Sequence, residues 1–314
     1  MSTAVITPTP TEEIQLHSAK PSFFGTVRGE FFKIARQWTN WILLVLLLGV
    51  IVLPFIVEMT APNAKTNIQT NPLHFYYNIL SITLSILRVF TGIFLLILAA
   101  RTVGLEYQLG TIRVLLSRGV GRLQLLFAKL LAVTLIALGL LVFGLLLNYL
   151  LTIILVLGLT GNLDSFSSLN SVFWSDARIY VLTILLNMGV TILLATAAAV
   201  VGRSVTFGLS AALVFFPIDN IATIIMTLAY RITHNDFWLS TTAYLLGPNL
   251  NAMAPSLTNG RAESIGATPL YGVIAGQAHG IQVDGTHTVV VALVYAAIFA
   301  VTAIVLTWKR DVQE

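Results

Sequence analysis

Hydrophobic positions along this chain do not alternate with polar ones; they come in long unbroken runs. A bilayer core needs about 20 mostly apolar residues per helix, and six runs approach or exceed that length: residues 41–57, 79–100, a third within 125–159, then 179–201, 205–229 and 288–308. Continuous runs without a period of two exclude a strand barrel. The pattern predicts an all-α membrane protein with six transmembrane helices. The third run is too long for one perpendicular crossing, so its helix either tilts or begins outside the bilayer.

A different period precedes the first run. In PSFFGTVRGEFFKIARQW, residues 21–38, Phe24, Val27, Phe31, Ile34 and Trp38 recur every three or four positions, with Arg28, Lys33 and Arg36 among them. This spacing predicts an amphipathic helix over residues 21–40, capped near Ser22. It either lies on the inner membrane surface, aromatic side down, or simply extends the first span. Residues 1–20 are rich in Thr, Pro and Ser, lack an apolar period, and read as disordered. Residues 41–314 then make up the six-helix transmembrane domain, with an outer segment at about 230–286 between the fifth and sixth spans.

Charge sets the orientation. Of 17 Lys and Arg residues, twelve fall in segments that share one side of the membrane, whereas Lys65, Arg178, Arg231 and Arg261 fall on the other and Arg88 lies inside a span. Positively charged loops stay in the cytoplasm, so both termini are expected there. About 40 mostly polar residues precede the first run, which is not the form of a cleavable signal peptide.

Composition narrows the function. With 57% hydrophobic and 10% charged residues, against about 25% charged in soluble domains, the basic residues flank apolar runs and cannot form a nucleic-acid patch. The chain has no cysteine, and its five histidines are scattered without metal-ligand spacing.

Charge is concentrated in EYQLGTIRVLLSRGVGRLQLLFAKLL, residues 106–131, between the second and third runs. Gly110 interrupts the helix descending through Glu106, Thr111 is suited to cap a new one, and Gly119 to end it in the left-handed conformation. A short amphipathic helix over 112–118 is expected, with Ile112, Leu115 and Leu116 on one face and Arg113 and Ser117 elsewhere. On charge alone, the positive-inside rule accounts for these arginines equally well.

The ordered set Glu106, Gly110, Thr111, Arg113, Leu115, Leu116, Ser117, Arg118, Arg122, Ala128 and Lys129 resembles the loop after the second span in permease subunits of ABC-2 type transporters. The six spans, cytoplasmic termini and long outer segment are similar to the same plan. The resemblance implies a coupling helix that docks on a separate cytoplasmic ABC ATPase, through Glu106, Gly110, Thr111, Arg113, Leu116, Arg118 and Arg122. It further implies an exporter, a second permease subunit of the same or another kind, and a prokaryotic plasma membrane. Gly119 and Val120 stand where many members have a proline-containing turn. No GxxxxGK[ST] phosphate loop is present, so ATP and Mg are expected on the partner, and this chain is not expected to be an enzyme or to hold a cofactor or metal. A non-transporting membrane anchor or regulatory subunit is the alternative reading.

Two ionisable residues lie within spans, where charge is costly unless paired or wet. Counted at about 1.5 Å per residue, Arg88 and Asp219 have similar depth, some 20 Å from the inner ends of their helices. This predicts that the second and fifth spans adjoin, and that Arg88 and Asp219 either pair or face a shared polar cavity; the alternative is that each snorkels independently to the outer interface. Pro217 and Asn220 mark the same stretch, FFPIDN, as a gate or as a structural kink. In the outer segment, AYLLG at 243–247, LYGVIAG at 270–276 and glycines 272, 276 and 280 suit short helices over the outer mouth or, alternatively, a flexible loop.

Overall fold

The protein's structure, a computed structural model, describes residues 22–262 and 283–309. The tail 1–20, the LYGVIAG stretch and glycines 272, 276 and 280 lie outside them. Ser22 Oγ accepts the Gly25 N–H at 3.0 Å and so caps α1 (Phe23–Arg36). After Gln37 leaves the helical region, α2 (Trp38–Thr60) begins. There follow α3 (Ala64–Thr70), α4 (Pro72–Gln108), α5 (Thr111–Ser117) and α6 (Arg122–Thr160). A 3₁₀ turn (Asp164–Ser168) leads to α7 (Ser171–Gly202), α8 (Val205–Thr233), α9 (Phe237–Thr242), α10 (Leu246–Leu257) and α11 (Gly285–Lys309). Among the described residues there is no strand.

Six of these helices, α2, α4, α6, α7, α8 and α11, are long and apolar enough to cross a bilayer, and the chain is a multi-pass membrane protein. α4 and α6 have 37 and 39 residues, or about 55–60 Å, nearly twice a hydrocarbon core of about 30 Å. The excess length of the third run is therefore a continuous helix projecting beyond the bilayer.

α4 and α7 form the centre, with Leu87, Leu95, Tyr180 and Ile184 fully buried and the Ser85 and Tyr180 hydroxyls 2.7 Å apart. α4 also packs along α8, so the second and fifth spans adjoin. At one end, α4 meets the α7–α8 turn so closely that a Cβ on Gly104 would stand 2.7 Å from the Val205 backbone nitrogen. α2, α8 and α11 are peripheral and leave wide apolar faces uncovered, as at Val45, Ile218 and Val301.

The two ends of the bundle differ. α1, α5 and the last turn of α11 share one, where Arg122 Nη1 donates to the Trp308 carbonyl at 3.4 Å; this is the basic end. At the other, α9 and α10 follow the fifth long helix, and α10 packs against α7, α8 and α11. Arg261, just beyond α10, grips Asp176 of α7 with Nε–Oδ2 at 2.7 Å and Nη2–Oδ1 at 3.0 Å, and Tyr77 of α4 donates to the same carboxylate at 2.8 Å.

Candidate functional site

The short helix expected after the second span is α5, and two glycines bracket it. Gly110 has φ 67° and Gly119 φ 84°, in the left-handed region where a side chain is disfavoured. Gly110, and not Thr111, occupies the N-cap, and no side chain caps this helix. The reason is the turn: the left-handed Gly110 passes the chain directly into the helix, and its own carbonyl accepts the Arg113 N–H at 3.2 Å. Ile112, Leu115 and Leu116 pack with Val120, Leu125 and Tyr107, whereas Thr111, Arg113, Val114 and Arg118 are exposed. The residues singled out in this loop therefore separate. Arg113 and Arg118 present cations outward, Leu116 supports the helix from beneath, and Arg122 bonds the end of α11.

Glu106 turns inward. Together with Glu30 and Lys33 of α1 and Lys129 of α6 it forms a ring of alternating charge. Lys33 Nζ lies 2.7 Å from both Glu30 Oε1 and Glu106 Oε1, and Lys129 Nζ lies 3.0 Å from Glu30 Oε2 and 2.9 Å from Glu106 Oε1. Lys129 also donates to the Thr102 carbonyl at 2.8 Å. Glu30, Glu106 and Lys129 are buried, at 2%, 8% and 4% exposure, so their charges depend on one another for compensation. For the half-exposed Lys33, burial is the largest influence and lowers its pKa. The hydrogen bonds and attraction of Glu106 and Glu30 outweigh it, and the pKa stands above the usual 10.5. A cleft of about 480 Å³ opens beside the ring, between α1, α4 and α5.

The ring joins three helices whose members are far apart in sequence, and reading the chain linearly misses Glu30 as a participant. One signal was present: Val27, Glu30 and Ile34 follow the three-and-four spacing of a single buried stripe, so an acidic group stands where an apolar one is expected. Phe24 and Trp38, by contrast, remain largely exposed.

A second polar site lies midway along the bundle. Arg88 and Asp219 form no ion pair with each other. Each instead reaches the same short helix: Arg88 donates to the Leu250 carbonyl and to Asn251 Oδ1 at 2.9 Å, and Asp219 accepts the Gly247 N–H. Gly247 lies in the first turn of α10, where backbone N–H groups have no intrahelical acceptor, so Asp219 satisfies one of them, while Arg88 binds the same helix farther along at Leu250 and Asn251. A cavity of about 350 Å³ beside them is lined by Arg88, Asn187, Thr191, Pro217, Asn220 and Asn251 among others. Asn220 and Pro217 thus belong with Arg88, and α8 runs through Pro217 without a break.

The family model described as ABC-2 family transporter protein matches residues 26–233, well over half of the chain. The matched region contains the charged ring, α5, Arg88 and Asp219, and ends before α9. The chain has no significant match among curated proteins.

Proposed function

As this chain belongs to the ABC-2 transporter family, we propose that it is the permease subunit of an ABC exporter, working with a separate ABC ATPase that binds ATP and Mg. The basic end is cytoplasmic, with both termini there, α1 lies at the membrane interface, and α5 is the coupling helix. Arg113, Arg118 and Val114 dock on the ATPase, and the chain itself contributes no nucleotide or metal site. The observation that carries this reading is the ring of buried Glu30, Glu106 and Lys129 with half-exposed Lys33, which ties the stretch entering α5 to α1 and α6. A push on α5 would move these helices as one body, as coupling between ATPase closure and membrane helices requires. A second permease subunit, identical or different, would cover the uncovered faces of α4 and α8, where Val89, Ile93, Leu213 and Ile218 are exposed. The cavity between these helices, where Arg88, Asn187, Asn220 and Asn251 place polar groups among mostly apolar walls, supports a path and not a mere anchor.

The test is co-purification with the ABC ATPase encoded beside this chain, followed by ATP turnover and export. Arg113→Glu is expected to lose the complex, whereas Glu106→Gln keeps it and loses turnover coupled to export. Wild-type binding and turnover in Arg113→Glu would sink the docking assignment, and absence of any associated ATPase would sink the transporter reading.

A further inference from the structure

A larger cavity, of about 520 Å³, lies away from both polar sites, in the half of the bundle opposite the basic end, between α4, α6 and α7. Its volume is within the roughly 300–1,000 Å³ of small-molecule sites. The walls are almost entirely apolar. Tyr76 and Phe166, with rings 5.1 Å apart, close the outer end, and the Tyr76 hydroxyl is held by Ser165 Oγ at 2.7 Å. Tyr149 and Trp174 line the cavity while remaining about half exposed, so they flank a mouth on the lipid-facing surface.

The Thr83 and Thr152 hydroxyls in this lining are bonded to the backbones of their own helices, and two further polar side chains, Asn148 and Arg178, interrupt it. Asn148 is 7% exposed; its Nδ2 donates to the Gly144 carbonyl at 2.9 Å, but its Oδ1 is buried without a hydrogen-bond partner among the described residues. Buried polar atoms in native proteins are nearly always satisfied, so an orphan acceptor in a cavity wall points to a donor supplied by an occupant. Arg178 is exposed, also lines the cavity, and has no carboxylate partner among the described residues. It lies seven residues into α7, about 10 Å along that helix, whereas Asn148 is 12 residues from the end of α6, about 18 Å along it. A long arginine at that height reaches the headgroup level with its stem along apolar surface.

We infer that this cavity binds one chain of an acidic amphiphile from the outer leaflet, with its carboxylate or phosphate on Arg178 and a mid-chain hydroxyl or amide N–H donating to Asn148 Oδ1. The apolar walls, the cation at the mouth and the deeper acceptor match the three parts of such a molecule in order. A purely hydrocarbon chain would leave Asn148 unsatisfied, so a donor-bearing chain is selected over a plain one. Neither a bound ATPase nor transport is needed for this binding.

Trp174 in the wall supplies the measurement. In the full chain with Trp38, Trp41, Trp238 and Trp308 replaced by Phe, reconstituted in phosphatidylcholine nanodiscs, dibromostearate is expected to quench Trp174 saturably. Stearate bearing a mid-chain hydroxyl should displace it more tightly than stearate, and this preference should vanish in Asn148→Leu. Arg178→Gln should weaken binding about tenfold, the usual loss for one charge-assisted contact. Ala177→Phe, which fills the cavity, should abolish saturation, and Arg178→Gln serves independently because its site is exposed. Quenching that rises without saturating, or that is the same in wild type and Arg178→Gln, reports ordinary lipid contact and overturns the assignment. Equal competition by stearate and hydroxystearate overturns the role of Asn148.

Discussion

Lys129 Nζ stands 3.0 Å from Glu30 Oε2 in an almost fully buried contact between residues 99 positions apart. It bonds α1 to the start of α6. Removing one member of such a pair leaves the other charged and desolvated, which typically costs about 3–5 kcal/mol. Lys129→Met and Glu30→Gln should each lower the unfolding temperature in detergent sharply, whereas the double variant should lose less than the sum of the two. Strict additivity in that cycle would show that the ring is not an energetic unit.

Gly104 is required for packing. A methyl group there would meet the Val205 backbone, which cannot rotate aside, and overpacking of this kind costs about 1–3 kcal/mol. Gly139 in α6 has nothing within 4 Å of its ideal Cβ, and replacing a helical glycine by alanine ordinarily gains up to about 1 kcal/mol. Thermal unfolding should therefore move in opposite directions for Gly104→Ala and Gly139→Ala.

Because Arg88 and Asp219 each hold α10 and not one another, exchanging their charges should fail to rescue. Arg88→Asp with Asp219→Arg is expected to be at least as unstable as either single change. Hydrogen exchange over residues 246–257 should rise in Arg88→Met and in Asp219→Ala alike. Recovery of wild-type protection in the swapped protein would mean that the two residues interact directly.

The contact of Arg261 with Asp176 fastens the chain beyond α10 to α7. Asp176 is 1% exposed, so Arg261→Ala leaves a buried carboxylate supported by Tyr77 alone. Limited proteolysis within residues 230–286 should accelerate in that variant, and Asp176→Asn in the same background should slow it again by removing the uncompensated charge.

Lys33 adds a pH dependence. Its pKa in the folded chain is raised above 10.5, so its stabilising effect is fully present below that value and is lost as pH rises through the folded pKa. A stability profile from pH 7 to about pH 11 should be steeper at its alkaline end for wild type than for Lys33→Gln. Parallel profiles would remove Lys33 from the ring's energetics.

The short-range features were legible in the sequence because their causes are local. Apolar runs of bilayer length dictated the six long helices, Gly110 and Gly119 bounded α5, and Ser22 capped α1, all from side chains within a few positions of their effect. The adjoining of α4 and α8 was also foreseen, since two matching depths are enough to suggest a neighbour. The cap at Thr111 was not borne out, because a left-handed glycine and a Thr N-cap are competing ways to open a helix and the turn selected the first.

What the sequence by itself determined is six helices long and apolar enough to cross a membrane, and a resemblance to the ABC-2 transporter family: burial of apolar length and avoidance of membrane charge are properties of segments. Tertiary structure alone decided where each buried charge found its partner. Depth along a helix specifies one coordinate, but the partner depends on rotation and on which short element enters the bundle; thus α10 came between Arg88 and Asp219, and α1 brought Glu30 to Lys129. In a low-dielectric interior each charge must be satisfied by the nearest suitable group, and that group is known only once the helices are packed.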